Sequence, residues 1–75
     1  MTQMDLLANL PDATPTAVAA ARAHAGNSQA QAAAVAGLGA GARWAEYERG
    51  VRTIDVARWA LYLLATGQHP NFRII

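Results

Sequence analysis

Residues 28–50 read SQAQAAAVAGLGAGARWAEYERG, and this stretch decides the fold. Ser28 opens a helix, with Gln31 three residues later to complete a capping box. That helix ends near Ala36, with Gly37 as its left-handed cap. A very short turn follows. A second helix begins around Ala40 or Gly41, carries Arg43, Trp44, Glu46, Tyr47, Glu48 and Arg49, and ends before Gly50. Two short helices joined by a tight glycine turn form the outline of a helix-turn-helix.

Working outward, Thr14 caps an earlier helix whose first residue is Pro15, where the missing N–H costs nothing. This helix 1 runs to about Ala25 and stops at Gly26. The quoted stretch supplies helices 2 and 3. Thr53 is the expected cap of helix 4, with Asp55 in its first turn, where a negative charge suits the helix dipole. Thr66-Gly67 ends it. The chain divides into a leader (1–12), a helix-turn-helix domain (13–67) and a C-terminal tail (68–75). The leader has enough leucine for one or two helical turns before Pro11.

Composition agrees. Alanine supplies 19 of 75 residues, the best helix former, and no alternating Val, Ile or Thr run marks an internal strand. The fold class is all-α: a compact bundle of four to five short helices. Because a buried Ala contributes little, Leu38, Trp44, Tyr47, Ile54, Val56, Trp59, Leu61, Leu63 and Leu64 must supply most of the core.

The same composition excludes several functions. There is no Cys, so no disulfide framework or thiolate metal site. His24 and His69 are far apart with no third ligand nearby, and no metal or cofactor is expected. Gly37-Leu-Gly-Ala-Gly-Ala42 has the spacing of a dinucleotide-binding loop but lacks the preceding strand that loop requires. No nucleophile is arranged with a base, and so small a chain walls no substrate pocket; the chain is not read as an enzyme. The longest uninterrupted apolar run, Trp59 to Ala65, is far short of a membrane span. Without a signal peptide in the leader, the cytoplasm of a prokaryotic cell is the expected compartment.

Charge is informative by its placement. Net charge is only +1, yet all six basic residues are Arg, and Arg43, Arg49 and Arg52 fall within ten positions. Attraction to nucleic acid must therefore be local. Arg43 adjoins Trp44 and cannot share its direction; with Trp44 in the core, Arg43 faces flank or groove and is the candidate to read a guanine. Glu46, three residues on, either accepts from a cytosine or opposes Arg43 or Arg49. Arg49 and Arg52 flank the Gly50 turn as candidate phosphate contacts. Ser28 and Gln29 add a second phosphate contact at the start of helix 2. Ala40 and Gly41 complete the expected DNA surface where helix 3 opens.

A helical projection of helix 4 places Arg58, Ala65, Tyr62, Asp55 and Thr66 on one arc of roughly 100° and apolar residues around the rest, more than one packed face requires. The surplus edge is Val56, Trp59 and Leu63. Either the leader or tail covers it, or a second copy of the chain does. In the tail, Phe72 and Ile74 share one side of an extended segment, which either docks on its own domain or pairs with a partner's copy. Val56, Trp59, Leu63, Phe72 and Ile74 are thus the candidate dimer interface.

From about Val18 to Leu64 the chain resembles the phage-repressor-like helix-turn-helix family, the Cro/CI or XRE type. Arg22 precedes Ser28 by the family's spacing, Ser28-Gln29 matches the opening of its second helix, and Ala33 sits where a small residue lies at the helix crossing. Gly37-Leu38 resembles its turn, and Trp44, Tyr47, Glu48 and Gly50 resemble the close of its third helix. The distance from Gly37 to Glu48 is one residue longer than the family pattern, Ala32 replaces a usual leucine, and Gly-Ala replaces the polar opening of helix 3. The resemblance implies a lambda-repressor-like domain in which Arg22 and Glu48 pair across helices 1 and 3. It also implies a transcriptional regulator from a mobile element, a repressor binding double-stranded DNA as a homodimer, with no membrane or small-molecule partner. The alternative is an antitoxin-like or adaptor module that binds protein and has no base readout.

Overall fold

A computed structural model of the chain describes residues 6–73. Its described residues contain four helices in chain order: α1 Pro15–Ala25, α2 Gln29–Val35, α3 Gly41–Arg49 and α4 Val56–Ala65. Leu6 and Leu7 are also helical, ahead of a turn at Ala8 and Asn9. No strand occurs among the described residues. Ile74, one of the candidate interface residues, lies outside them.

Each helix begins and ends for a local reason. The Thr14 hydroxyl accepts the Ala17 N–H, Pro15 is the first helical residue, and Gly26 closes α1 in the left-handed region. At α2 the capping box is complete: Ser28 Oγ accepts the Gln31 N–H at 3.1 Å, and Gln31 Oε1 accepts the Ser28 N–H at 2.8 Å. Helix α3 begins after Ala40, which has no side chain to cap it. The start of α4 departs from the sequence reading. Asp55 is the cap, its carboxylate accepting the Arg58 N–H, and Thr53 lies outside the helix, exposed. An ionised acceptor at this position bonds the orphan N–H more strongly than a hydroxyl.

Helix α2 packs most extensively on α3. A Cβ on Gly41 would stand 3.0 Å from Ala30 Cα and 3.1 Å from Ala30 N, so the backbones meet where only glycine fits. The core gathers Val18 from α1, Ala32, Ala33 and Ala36 around α2, Trp44 and Tyr47 from α3, Ile54, and Trp59, Tyr62 and Leu63 from α4. The Trp44 and Tyr62 rings, both fully buried, lie 4.6 Å apart and join α3 to α4.

Helix α4 is rotated from the expected projection. Tyr62, assigned to the polar arc, is fully buried, because Asn27 Nδ2 donates to its hydroxyl at 2.9 Å and so satisfies the one polar atom the ring carries. Trp59 and Leu63 are buried within the protomer, at 3% and 2% exposure, and leave no free area for a second copy. Their cover is the leader and α1: Trp59 Nε1 donates to the Pro11 carbonyl at 2.7 Å, and Pro11, Ala17, Ala20, Ala21, His24 and Gln68 surround a shallow depression over the pair. Of that surplus edge Val56 alone is exposed, joined by Leu61 and Leu7.

The leader is held by two further bonds from the tail. His69 Nε2 lies 2.7 Å from the Leu6 carbonyl oxygen, and Asn71 Nδ2 donates to the Ala8 carbonyl at 2.8 Å. His69 Nδ1 accepts the Asn71 N–H, which makes Nε2 the donor to Leu6. The bonds to Leu6 and Ala8 dock this part of the tail on its own protomer, and Phe72 packs at 5.6 Å from the ring of His69 within the tail itself.

Candidate nucleic-acid interface

The centre of the helix pair is Glu48, whose carboxylate is mostly buried and accepts from three elements at once. Arg22 of α1 donates from Nε to Oε2 and from Nη2 to Oε1, the second at 3.1 Å. Trp44 Nε1 donates to Oε2 at 2.7 Å, and Gln29 Nε2 donates to Oε1 at 3.2 Å. The Arg22 bond is the main reason the Glu48 carboxyl is held below the usual carboxylate range. Burial opposes it, and the Trp44 and Gln29 donors add to the lowering. Glu48 in turn raises the Arg22 guanidinium above its ordinary value, through the same hydrogen bond. Arg22 Nη1 also reaches the Asn27 carbonyl, so one side chain braces the loop between α1 and α2.

Around this lock, α3 turns Trp44 and Tyr47 inward and leaves Ala42, Arg43 and Arg49 exposed, with Glu46 half-buried among them. Arg43 Nε lies 3.2 Å from Glu46 Oε1, and Arg52 Nε donates to the same oxygen at 3.0 Å. Glu46 thus opposes Arg43 and Arg52; Arg49 has no carboxylate partner among the described residues. An open groove of about 540 Å³ runs beside this face, lined by the Gly37–Ala40 turn, one side of α3 and Arg58.

Arg58 went unremarked as a site residue in the sequence. It lies at the start of α4, pairs with Asp55, and donates from Nη1 to the Ala36 and Gly37 carbonyls. Its guanidinium therefore satisfies the end of α2 while lining the groove. Asp55 three residues earlier was the available signal, since an i, i+3 pair holds the arginine against the helix start.

Among the candidates, Ala40, Arg43, Glu46 and Arg49 line the groove and Arg52 joins them through Glu46, whereas Gly41 abuts Ala30 of α2 and does not line it. Gln29 spends its amide N–H on Glu48, and Ser28 spends its backbone N–H and hydroxyl oxygen on the capping box. The face presents four arginines, Arg43, Arg49, Arg52 and Arg58, against two carboxylates, Glu46 and Asp55. Such a surface suits an extended polyanion better than a small neutral ligand. Among the described residues no group of three His, Cys, Asp or Glu gathers to hold a metal, and no helix is long and apolar enough to cross a membrane. Comparison with known protein families, with curated proteins and with solved structures returned no match.

Proposed function

We propose that the chain is a sequence-reading regulator of transcription that binds double-stranded DNA through the outer face of α3, as a homodimeric repressor from a mobile element. The observation that carries this reading is the arginine-rich outer face of a short helix whose inner face is locked by Glu48. Arg43 is the base reader, with Glu46 beside it, and Arg49 and Arg52 contact phosphates beyond the helix end. A dimer doubles the number of phosphate contacts, which a chain of net charge +1 needs. The surface offered to the second copy is the exposed apolar patch of Leu7, Val56 and Leu61.

The test is a mobility shift on duplex DNA from the region upstream of the gene, titrated with salt. A regulator shifts the duplex, and its affinity falls steeply as salt rises. The dimer has its own test: Leu61→Glu gives half the wild-type mass by light scattering with its helix content kept, and an unchanged mass removes the patch from the interface.

A second reading, a protein-binding module without base readout, draws on the same carboxylate: Glu46 neutralises part of the arginine cluster. That module shifts no duplex at any salt concentration and captures a protein partner instead.

A further inference from the structure

Glu46 touches two guanidinium groups through one atom. Arg43 and Arg52 both approach Oε1 with Nε, at 3.2 and 3.0 Å. Neither arginine donates a hydrogen bond from its Nη1 or Nη2 atoms to a described residue, so each keeps its two-pronged end uncommitted. The arrangement is built by the backbone as well. The chain reverses at Gly50, where φ is 77°, and the Val51 and Arg52 N–H groups return to the Glu46 carbonyl at 3.0 and 3.4 Å. Arg52 is therefore fastened beside Glu46 before its side chain contributes anything. Arg43, three residues before Glu46 on α3, is held by the i, i+3 spacing alone.

A carboxylate on this face has an electrostatic cost if the partner is a polyanion, since it repels phosphate. It has a compensating effect on geometry. A free arginine loses much rotamer entropy on fixing its fork, and a neighbour that fixes it beforehand removes that loss from binding. We propose that Glu46 is a positioning residue: it presents the Arg43 fork to the O6 and N7 acceptors of a guanine while Arg52 takes an adjacent phosphate. This rests on the duplex-binding reading above and adds to it the base identity and the residue that enforces it.

The experiment selects the full-length chain on a pool of duplexes with a randomised core. Wild type enriches a motif with an obligatory G·C pair. Arg43→Lys, which keeps the charge and loses the fork, relaxes preference at that pair by about tenfold or more. Glu46→Ala relaxes the same pair while binding of bulk duplex at low salt becomes tighter, and Glu46→Gln, which keeps an acceptor, restores part of the preference. Circular dichroism confirms the fold of each variant; if Glu46→Ala does not fold, Arg43→Lys and Glu46→Gln decide. A Glu46 that only neutralises charge gives tighter binding with unchanged base preference in both Glu46 variants, and that result overturns the proposal. So does a wild-type chain that shifts duplexes without enriching any base pair, which leaves the duplex-binding reading standing. A wild-type chain that shifts no duplex overturns that reading itself.

Discussion

Glu48 has four hydrogen-bonding contacts on two oxygens, so the consequences of altering it are unusually sharp for a chain of 75 residues. Truncation in Glu48→Ala leaves the Arg22 guanidinium and the Trp44 N–H without their acceptor. For a pair this enclosed the loss is about 3 kcal/mol, a large share of what so small a domain holds in total. The variant is expected to melt far below wild type, or to be unfolded at room temperature, by circular dichroism. The pH dependence follows from the lowered carboxyl. Its unfolded value is about 4.3, so its stabilisation is complete above that pH and is lost as pH falls through the interval beneath it, where the unfolded chain takes up the proton more readily than the folded one. The Glu48 contribution to the urea midpoint is unchanged down to about pH 5 and then falls; in Glu48→Gln that part of the acid drop is missing.

At the scale of the element, the α2–α3 junction depends on backbone approach more than on side chains. Gly41→Val forces a Cβ and its two methyl groups onto the Ala30 backbone, which has no flexible end to yield, and is expected to cost about 1–3 kcal/mol in urea unfolding. Gly37→Ala is costly for a different reason: φ there is 76°, which an L side chain adopts at about 1–2 kcal/mol. The junction was legible in the sequence because Ser28, Gln31, Gly37 and Gly50 each have one strong local preference. The orientation of α4 was not. A projection that sorts Tyr62 with polar residues misses that Asn27, 35 positions away, takes up its hydroxyl. Thr53 and Asp55 are both good caps by residue type, and in the fold it is the Asp55 carboxylate that takes the Arg58 N–H. For the candidate site, the position of Arg43, Arg49 and Arg52 near one face was readable from spacing. The diversion of Gln29 to Glu48 was not, since it depends on how closely two helices approach.

Over the whole molecule, the leader covers the Trp59 side of α4 and leaves Val56 and Leu61 exposed. Trp59→Phe removes the donor to Pro11 and part of a buried ring, and is expected to cost about 2 kcal/mol and to speed amide exchange between residues 6 and 13, measured by NMR. Trp59→Asp, which would report on an interface if Trp59 were exposed, instead disrupts the core; Leu61, at 46% exposure, is the proper probe of association. The bonds holding the leader have one more implication. Trp59, His69 and Asn71 each grip a main-chain oxygen, at Pro11, Leu6 and Ala8. Carbonyls are the same in every amino acid, so this clasp is indifferent to the identity of the residue it holds. Position 8 can accept substitutions such as Ala8→Ser or Ala8→Gln with little change in melting temperature, a freedom that Leu10, packed against the core, does not share.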